Sequence, residues 1–166
     1  MSATHKIRDL LGKPVVSVLT GNVLATLEDV LVAPNLRQVA AAIGCRSSVS
    51  GFQTRALPSQ EILVWGRDVI LTDRSDLGDR PGGADEQLLQ WPGFFGRLKE
   101  CKVISTGGTL IGILYDMVIT DRGQIVGYDL SEVIVGGPIA YSRQVPAQAC
   151  RLLRADALVV DASRIE

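Results

Sequence analysis

The feature that most constrains this chain is that it repeats itself. Sliding the 166-residue sequence along itself by 87 places Leu11 on Leu98, Val16 on Val103, Gly21 on Gly108, Leu27 on Leu114, Asp29 on Asp116 and Val39 on Val126. After one inserted residue the shift is 88, and Arg55, Pro58, Gln60, Asp68, Asp73 and Ser75 fall on Arg143, Pro146, Gln148, Asp156, Asp161 and Ser163. Apolar residues match in between, Leu24 with Ile111, Leu31 with Val118 and Ile70 with Leu158. Glycine, aspartate and proline punctuation that coincides with apolar positions marks a duplication of one unit of about 70 residues. Any fold for the chain must be one that such a unit can build twice.

The duplication divides the chain into a first copy at 1–75, a linker at 76–93 and a second copy at 94–166. Asp79-Arg80-Pro81-Gly82-Gly83 has linker chemistry, since proline removes a donor and glycine adds freedom. Charge follows the same division: 8 basic and 6 acidic residues in 1–75, 1 and 4 in 76–93, 8 and 8 in 94–166. Leu88, Leu89, Trp91, Phe94 and Phe95 gather beside the linker. They read either as a short helix and turn packed between the copies, or as aromatic anchors for a protein partner.

Within each copy the pattern is that of short strands. Pro14–Leu19, Val23–Val32 and Gln38–Ile43 are apolar runs separated by Thr20-Gly21-Asn22 and Ala33-Pro34-Asn35-Leu36-Arg37. The second copy carries Thr106-Gly107-Gly108-Thr109 and Asp121-Arg122-Gly123-Gln124 at the same places, where glycine supplies the positive φ of a tight turn. Each copy closes with two apolar runs around a turn, Glu61–Trp65 with Val69–Thr72, and Cys150–Leu153 with Ala157–Val160. A short helix is the alternative over Ala149–Leu158. Five or six strands in so short a unit are best satisfied by a small sheet curled into a barrel, which hides its edges.

Composition removes several function classes. With 17 Lys and Arg against 18 Asp and Glu, the net charge of -1 offers no global attraction for a phosphate backbone. Apolar runs break within about ten residues, short of the roughly 20 that a spanning helix needs. The polar stretch Met1–Arg8 lacks the apolar core of a secretory signal, so a cytoplasmic location is expected. Cys45, Cys101 and Cys150 are widely spaced and odd in number, and His5 is the single histidine. Disulfides, a zinc cluster and a Cys/His nucleophile are therefore not expected, and neither is any cofactor.

The unit resembles the PRC-barrel domains. Leu11-Gly12-Lys13-Pro14-Val15-Val16 is similar to the family's opening phrase, and Leu27-Glu28-Asp29-Val30-Leu31 and Gly112-Ile113-Leu114-Tyr115-Asp116-Met117-Val118 to its middle strand. Leu57-Pro58, Val145-Pro146, Asp68 and Asp156 are similar to its close. The resemblance implies an all-β chain of two tandem small PRC-type barrels joined by a linker with a short helix. Members serve as adaptor modules, as in the cytoplasmic part of the H subunit of photosynthetic reaction centres and in ribosome maturation factors. It therefore implies a non-enzymatic module that binds a protein partner, or another copy of itself.

Candidate partner-binding residues are Trp91, Phe94, Phe95, Arg46, Arg55 and Arg143. An RNA- or ribosome-associated protein is the alternative, using Arg46, Arg55, Arg67 and Arg74 on the first copy, whose charge is 8 minus 6, or +2. A small-ligand sensor with a site between the barrels is the further alternative. Asp29 and Asp116 sit in apolar strands, where a carboxylate must point outward or tie down a nearby turn through backbone N–H groups; Arg55 and Arg143 are candidate partners for them. Gly136-Gly137-Pro138 reads as a loop.

Overall fold

The computed structural model describes residues 3–48, 51–77, 93–136, 143–154, 157–161 and 163. They are built mostly of strands, arranged in two mixed sheets that follow the duplication. The first sheet runs β5-β4-β3-β2-β7-β6, from β2 (Pro14–Ser17), β3 (Val23–Val32), β4 (Val39–Ser48), β5 (Gly51–Pro58), β6 (Ile62–Trp65) and β7 (Ile70–Thr72). The second runs β11-β10-β9-β8-β13-β12, from β8 (Lys102–Ser105), β9 (Leu110–Thr120), β10 (Ile125–Val133), β11 (Gln144–Pro146), β12 (Cys150–Arg154) and β13 (Ala157–Val160). In both, the opening strand lies parallel to the closing one, β2 on β7 and β8 on β13, and the other pairings are antiparallel. Within the segment where a helix is the alternative, Ala149 ends a 3-10 turn, Cys150–Arg154 is strand β12, and Ala157 and Leu158 begin β13.

The structure redraws the repeat at three points. Val15 pairs with Ile70 as Val103 pairs with Leu158, so the opening strands correspond at a shift of 88, with Val15, not Val16, on Val103. Gly12 (φ 90) and Glu100 (φ 74) then share one left-handed position. The turn after Ser17 is one residue longer than that after Ser105, which restores 87 over β3 and β9: Gly21 N–H donates to Ser17 O where Gly108 N–H donates to Ser105 O. The next hairpin is also longer in the first copy, so Val39 corresponds to Ile125, not Val126: Val32 faces Val39 where Ile119 faces Ile125. From Pro58 and Pro146 onward the shift is 88.

The two halves trade their leading segments. β1 (Thr4–Lys6) lies on β9, with Lys6 opposite Val118, and Phe94 bridges to Leu31 of β3 in the corresponding place. Each leading segment then forms a one-turn helix, Ile7–Leu10 and Phe95–Leu98. Helices this short do not hold by themselves; Ile7, Leu10, Phe95 and Leu98 are at most 1% exposed and belong to a hydrophobic cluster that draws on both sheets. A carboxylate of the opposite sheet fixes each helix. Gly96 N–H donates to both oxygens of Asp29 (3.0 and 3.2 Å), and Arg8 N–H donates to Asp116 (3.1 Å).

A register shift on the neighbouring pairing, between Leu27 and Asp29 in β3 and across Tyr115 in β9, breaks the in-out alternation and turns each aspartate towards that helix. Where the halves meet, Gln38 and Gln124, equivalent residues, form an antiparallel bridge. Val39 N–H donates to Gly123 O and Ile125 N–H donates to Arg37 O, both at 2.9 Å. The two hydrogen bonds are images of each other, so an approximate twofold axis passes between the glutamines.

Candidate functional site

The first sheet carries a ribbon that outruns its neighbours. β3 begins at Val23 and pairs with β4 no further than Thr26 opposite Cys45, whereas β4 and β5 continue as a pair through Arg46–Gln53, Ser47–Phe52 and Ser48–Gly51. Beside the ribbon is a groove of about 730 Å³, lined by residues 23–28, Cys45, Arg46, Ser47 and Phe52. The groove is open to solvent, and exposed apolar side chains stand on it and in the turn that leads to β3. Phe52 is 83% exposed, Val23 64%, and Leu19 and Val18, in the turn leading to β3, 68% and 48%. Four large apolar side chains exposed at one end of a sheet form a patch.

Two arginines lie on the ribbon. Gln53 Oε1 accepts from Arg46 Nη2 and from Arg55 Nη2, each at 3.3 Å, and Arg55 Nη1 donates to the carbonyl of Thr54 at 3.0 Å. Arg55 Nε is buried with no hydrogen-bond partner among the described residues. Among the described residues no carboxylate pairs with Arg55, which brings its positive charge to the β5 edge.

The other expected site residues are not brought together here. Phe94 and Phe95 are 6% and 1% exposed. Phe94 packs with Leu31, Ala41 and Ile43, and Phe95 is in the main cluster, so of the two readings of this aromatic group they take the packed one and have no surface to give a partner. Trp91 and most of the linker, like Gly137 and Pro138, lie outside the described residues. Arg143 is exposed on the second sheet at φ 54, its Nη2 donating to Ser131 O (3.0 Å). Arg67 meets its neighbour Asp68 at 3.5 Å, and Arg74 meets Glu61 at 3.3 Å.

Asp29 and Asp116 do not pair with Arg55 and Arg143. Besides the opposite helix, each accepts the N–H of its own successor, Val30 or Met117, at 2.8 Å. Burial pushes both carboxyls above their ordinary value, and these N–H donors pull them part of the way back. Burial also pushes the Cys101 thiol up to about 11 and the Cys150 thiol to about 12, and raises the Tyr128 hydroxyl, which donates to Leu36 O at 3.0 Å. Asp29, Asp116 and Tyr128 each fasten one part of the fold to another, and the two thiols are buried in the core. Among the described residues no three His, Cys, Asp or Glu gather as metal ligands do, and no helix is long and apolar enough to cross a membrane.

Sequence reasoning passed over Val18, Leu19, Val23 and Phe52 because single apolar residues are ordinary on surfaces. The signal lay in comparing the copies: where the first has Val18-Leu19, the second has Thr106-Gly107-Gly108-Thr109. No protein-family model matches the sequence, and no curated protein matches it.

Proposed function

We propose that this chain is a non-enzymatic binding protein of the PRC-barrel type, a pair of tandem small barrels that acts in the cytoplasm and docks a protein partner on the exposed end of its first repeat. One observation carries the reading: Val23 and Phe52 stand in solvent on a groove of the first sheet, Val18 and Leu19 are exposed in the turn that leads to it, and the corresponding turn of the second sheet is polar. The barrel part rests on two sheets of like strand order, each with its opening strand parallel to its closing one, and on the phrase Leu11-Gly12-Lys13-Pro14-Val15-Val16, whose glycine takes φ 90. Three free thiols, two of them buried, fit a reducing compartment.

The RNA reading has less behind it, because Arg67 and Arg74 already have carboxylate partners. The groove is lined by the first repeat alone, which also favours a docked partner over a ligand held between the halves.

The test is affinity capture from lysate with ribonuclease present, comparing the wild type, a Leu19→Asp/Phe52→Asp variant and a Val126→Asp control on the second sheet. A protein retained by the wild type and the control but lost from the double variant is the expected result. Equal capture by all three, or capture abolished by ribonuclease, overturns the reading.

A further inference from the structure

β5 ends the order of the first sheet, and its eight residues pair with β4 from Ala41–Pro58 to Ser48–Gly51 without a bulge. Proline has no N–H, so the Ala41–Pro58 pair is of the kind that exchanges no hydrogen bonds. Alternation makes Ile43–Ala56, Cys45–Thr54 and Ser47–Phe52 pairs of that same kind. The backbone N–H and C=O groups of Phe52, Thr54 and Ala56 thus point away from β4. Among the described residues these groups meet one other contact, the Arg55 Nη1 on the Thr54 carbonyl. Such an edge is a template for another strand. The corresponding edge strand of the second sheet, β11, is three residues long.

The register of this edge is self-complementary. Turned about a twofold axis at Thr54, a second β5 sets Thr54 against Thr54, Phe52 against Ala56 and Gln53 against Arg55, and each outward residue finds another that exchanges both backbone hydrogen bonds. Moving the axis to Arg55 stacks arginine on arginine and brings Pro58, which lacks a donor, opposite Phe52. Moving it to Gln53 takes the mate of Ala56 beyond Gly51, the first residue of β5. With the axis at Thr54, the charge of Arg55 faces an amide oxygen, as it already does within one chain.

We propose that the partner at this site includes a second copy of this chain, joined antiparallel through β5 with Thr54 on the axis. The proposal rests on the binding-protein reading and names its partner. The Thr54 N–H of the second copy replaces Arg55 Nη1 on the Thr54 carbonyl, and the released guanidinium turns to Gln53 of the second copy.

The experiment is sedimentation equilibrium of the purified full chain over a concentration series, with Thr54→Lys and Phe52→Lys variants. Both side chains are exposed in the single chain, and Thr54→Lys sets lysine against lysine on the axis. A monomer–dimer equilibrium weakened roughly tenfold or more by each variant is expected. Amide exchange of the wild type gives a second readout that needs no variant: the Phe52, Thr54 and Ala56 N–H groups should gain protection as concentration rises, while those of Gln53 and Arg55 are protected throughout. A wild type that stays monomeric, a dimer indifferent to both variants, or unchanged exchange at Thr54 overturns the proposal. A monomer that still captures another protein through Phe52 leaves the broader binding reading standing.

Discussion

Gly123 lies directly against the indole of Trp65: a β-carbon on the glycine would come within 2.7 Å of Trp65 Nε1. The hairpin around Gly123 also accepts the Trp65 N–H through Asp121 O at 2.8 Å. In the other half the corresponding residues are Leu36, at φ 64, and Leu153, both buried. One contact between the halves thus sets the smallest side chain against the largest, where the equivalent positions of the other half carry two buried residues of middle size.

Gly123→Ala is expected to cost about 1–3 kcal/mol, because φ is 82 and the indole has nowhere to retreat in a packed core. Trp65→Phe should cost far less than burial of a tryptophan suggests, within about 1.5 kcal/mol, because it also removes an N–H that is buried without a partner among the described residues. Urea denaturation of both variants checks this; a phenylalanine variant worse than the alanine one would contradict the packing described.

Asp116→Ala removes the acceptor for both Arg8 N–H and Met117 N–H and should cost about 1–3 kcal/mol, whereas Asp116→Asn keeps an acceptor oxygen and should cost less. Burial raises the folded-state value of this carboxyl, so the native state keeps its proton at a pH where the unfolded chain has released it. Stability from this group therefore rises as pH falls from neutrality through the raised value towards 3.8, and Asp29 acts in the same direction. Wild type should gain in denaturation midpoint over Asp116→Asn as pH falls through that range; parallel curves would show that the carboxyl is not raised.

Asp161 acts with the opposite sign. The Ser163 hydroxyl (2.6 Å) and Arg151 guanidinium (3.1 Å) hold its carboxyl down to about 2. Its contribution is complete above 3.8 and is lost as pH falls towards 2. Asp161→Asn should lower the stability curve evenly above about pH 5 and flatten its acid limb, so that denaturation midpoints of the two chains approach each other as pH falls towards 2.

Thiol labelling should separate the three cysteines. Cys101 and Cys150 are buried and held at about 11 and about 12, so neither offers thiolate at neutral pH; Cys45 is half-buried beside the groove. A maleimide at neutral pH should modify Cys45 quickly and the other two only on unfolding. Rapid uptake of more than one label per native chain would be the contrary result, and protection of Cys45 by a bound partner would place that partner over the groove.

The strands were legible because alternation and turn residues are local signals: Asp121-Arg122-Gly123-Gln124 forms the expected turn, with Gly123 at φ 82. The duplication was legible too, but a constant shift hides one-residue differences in turns, and the true match of Val15 with Val103 emerges only from pairing with the last strand of each sheet. Beside an acidic linker, Phe94 and Phe95 read either as packing or as surface anchors, and it is Leu31, Ala41 and Ile43, far away along the chain, that decide for packing by burying Phe94. Local chemistry contains nothing that announces such a contact. The exposed ribbon was hidden for the converse reason, since nothing in Arg46–Arg55 says that β3 stops short of it.

Expressed separately, 1–77 and 93–166 should each lack native cooperativity and regain it on mixing, because each would lose the strand or bridge that its opposite number lends. A lone fragment that unfolds with the steepness of the whole chain would show that the exchange is ornamental.

The mirrored hydrogen bonds across Gln38 and Gln124 carry a consequence for descent. In a pair of identical short chains meeting in this way, every substitution at the junction strikes both sides at once, so Trp65 could arise only with a matching glycine in both partners. Covalent fusion lifts that restriction. Each side of the axis then mutates alone, and one copy is free to acquire an adhesive edge while its twin keeps the pair folded.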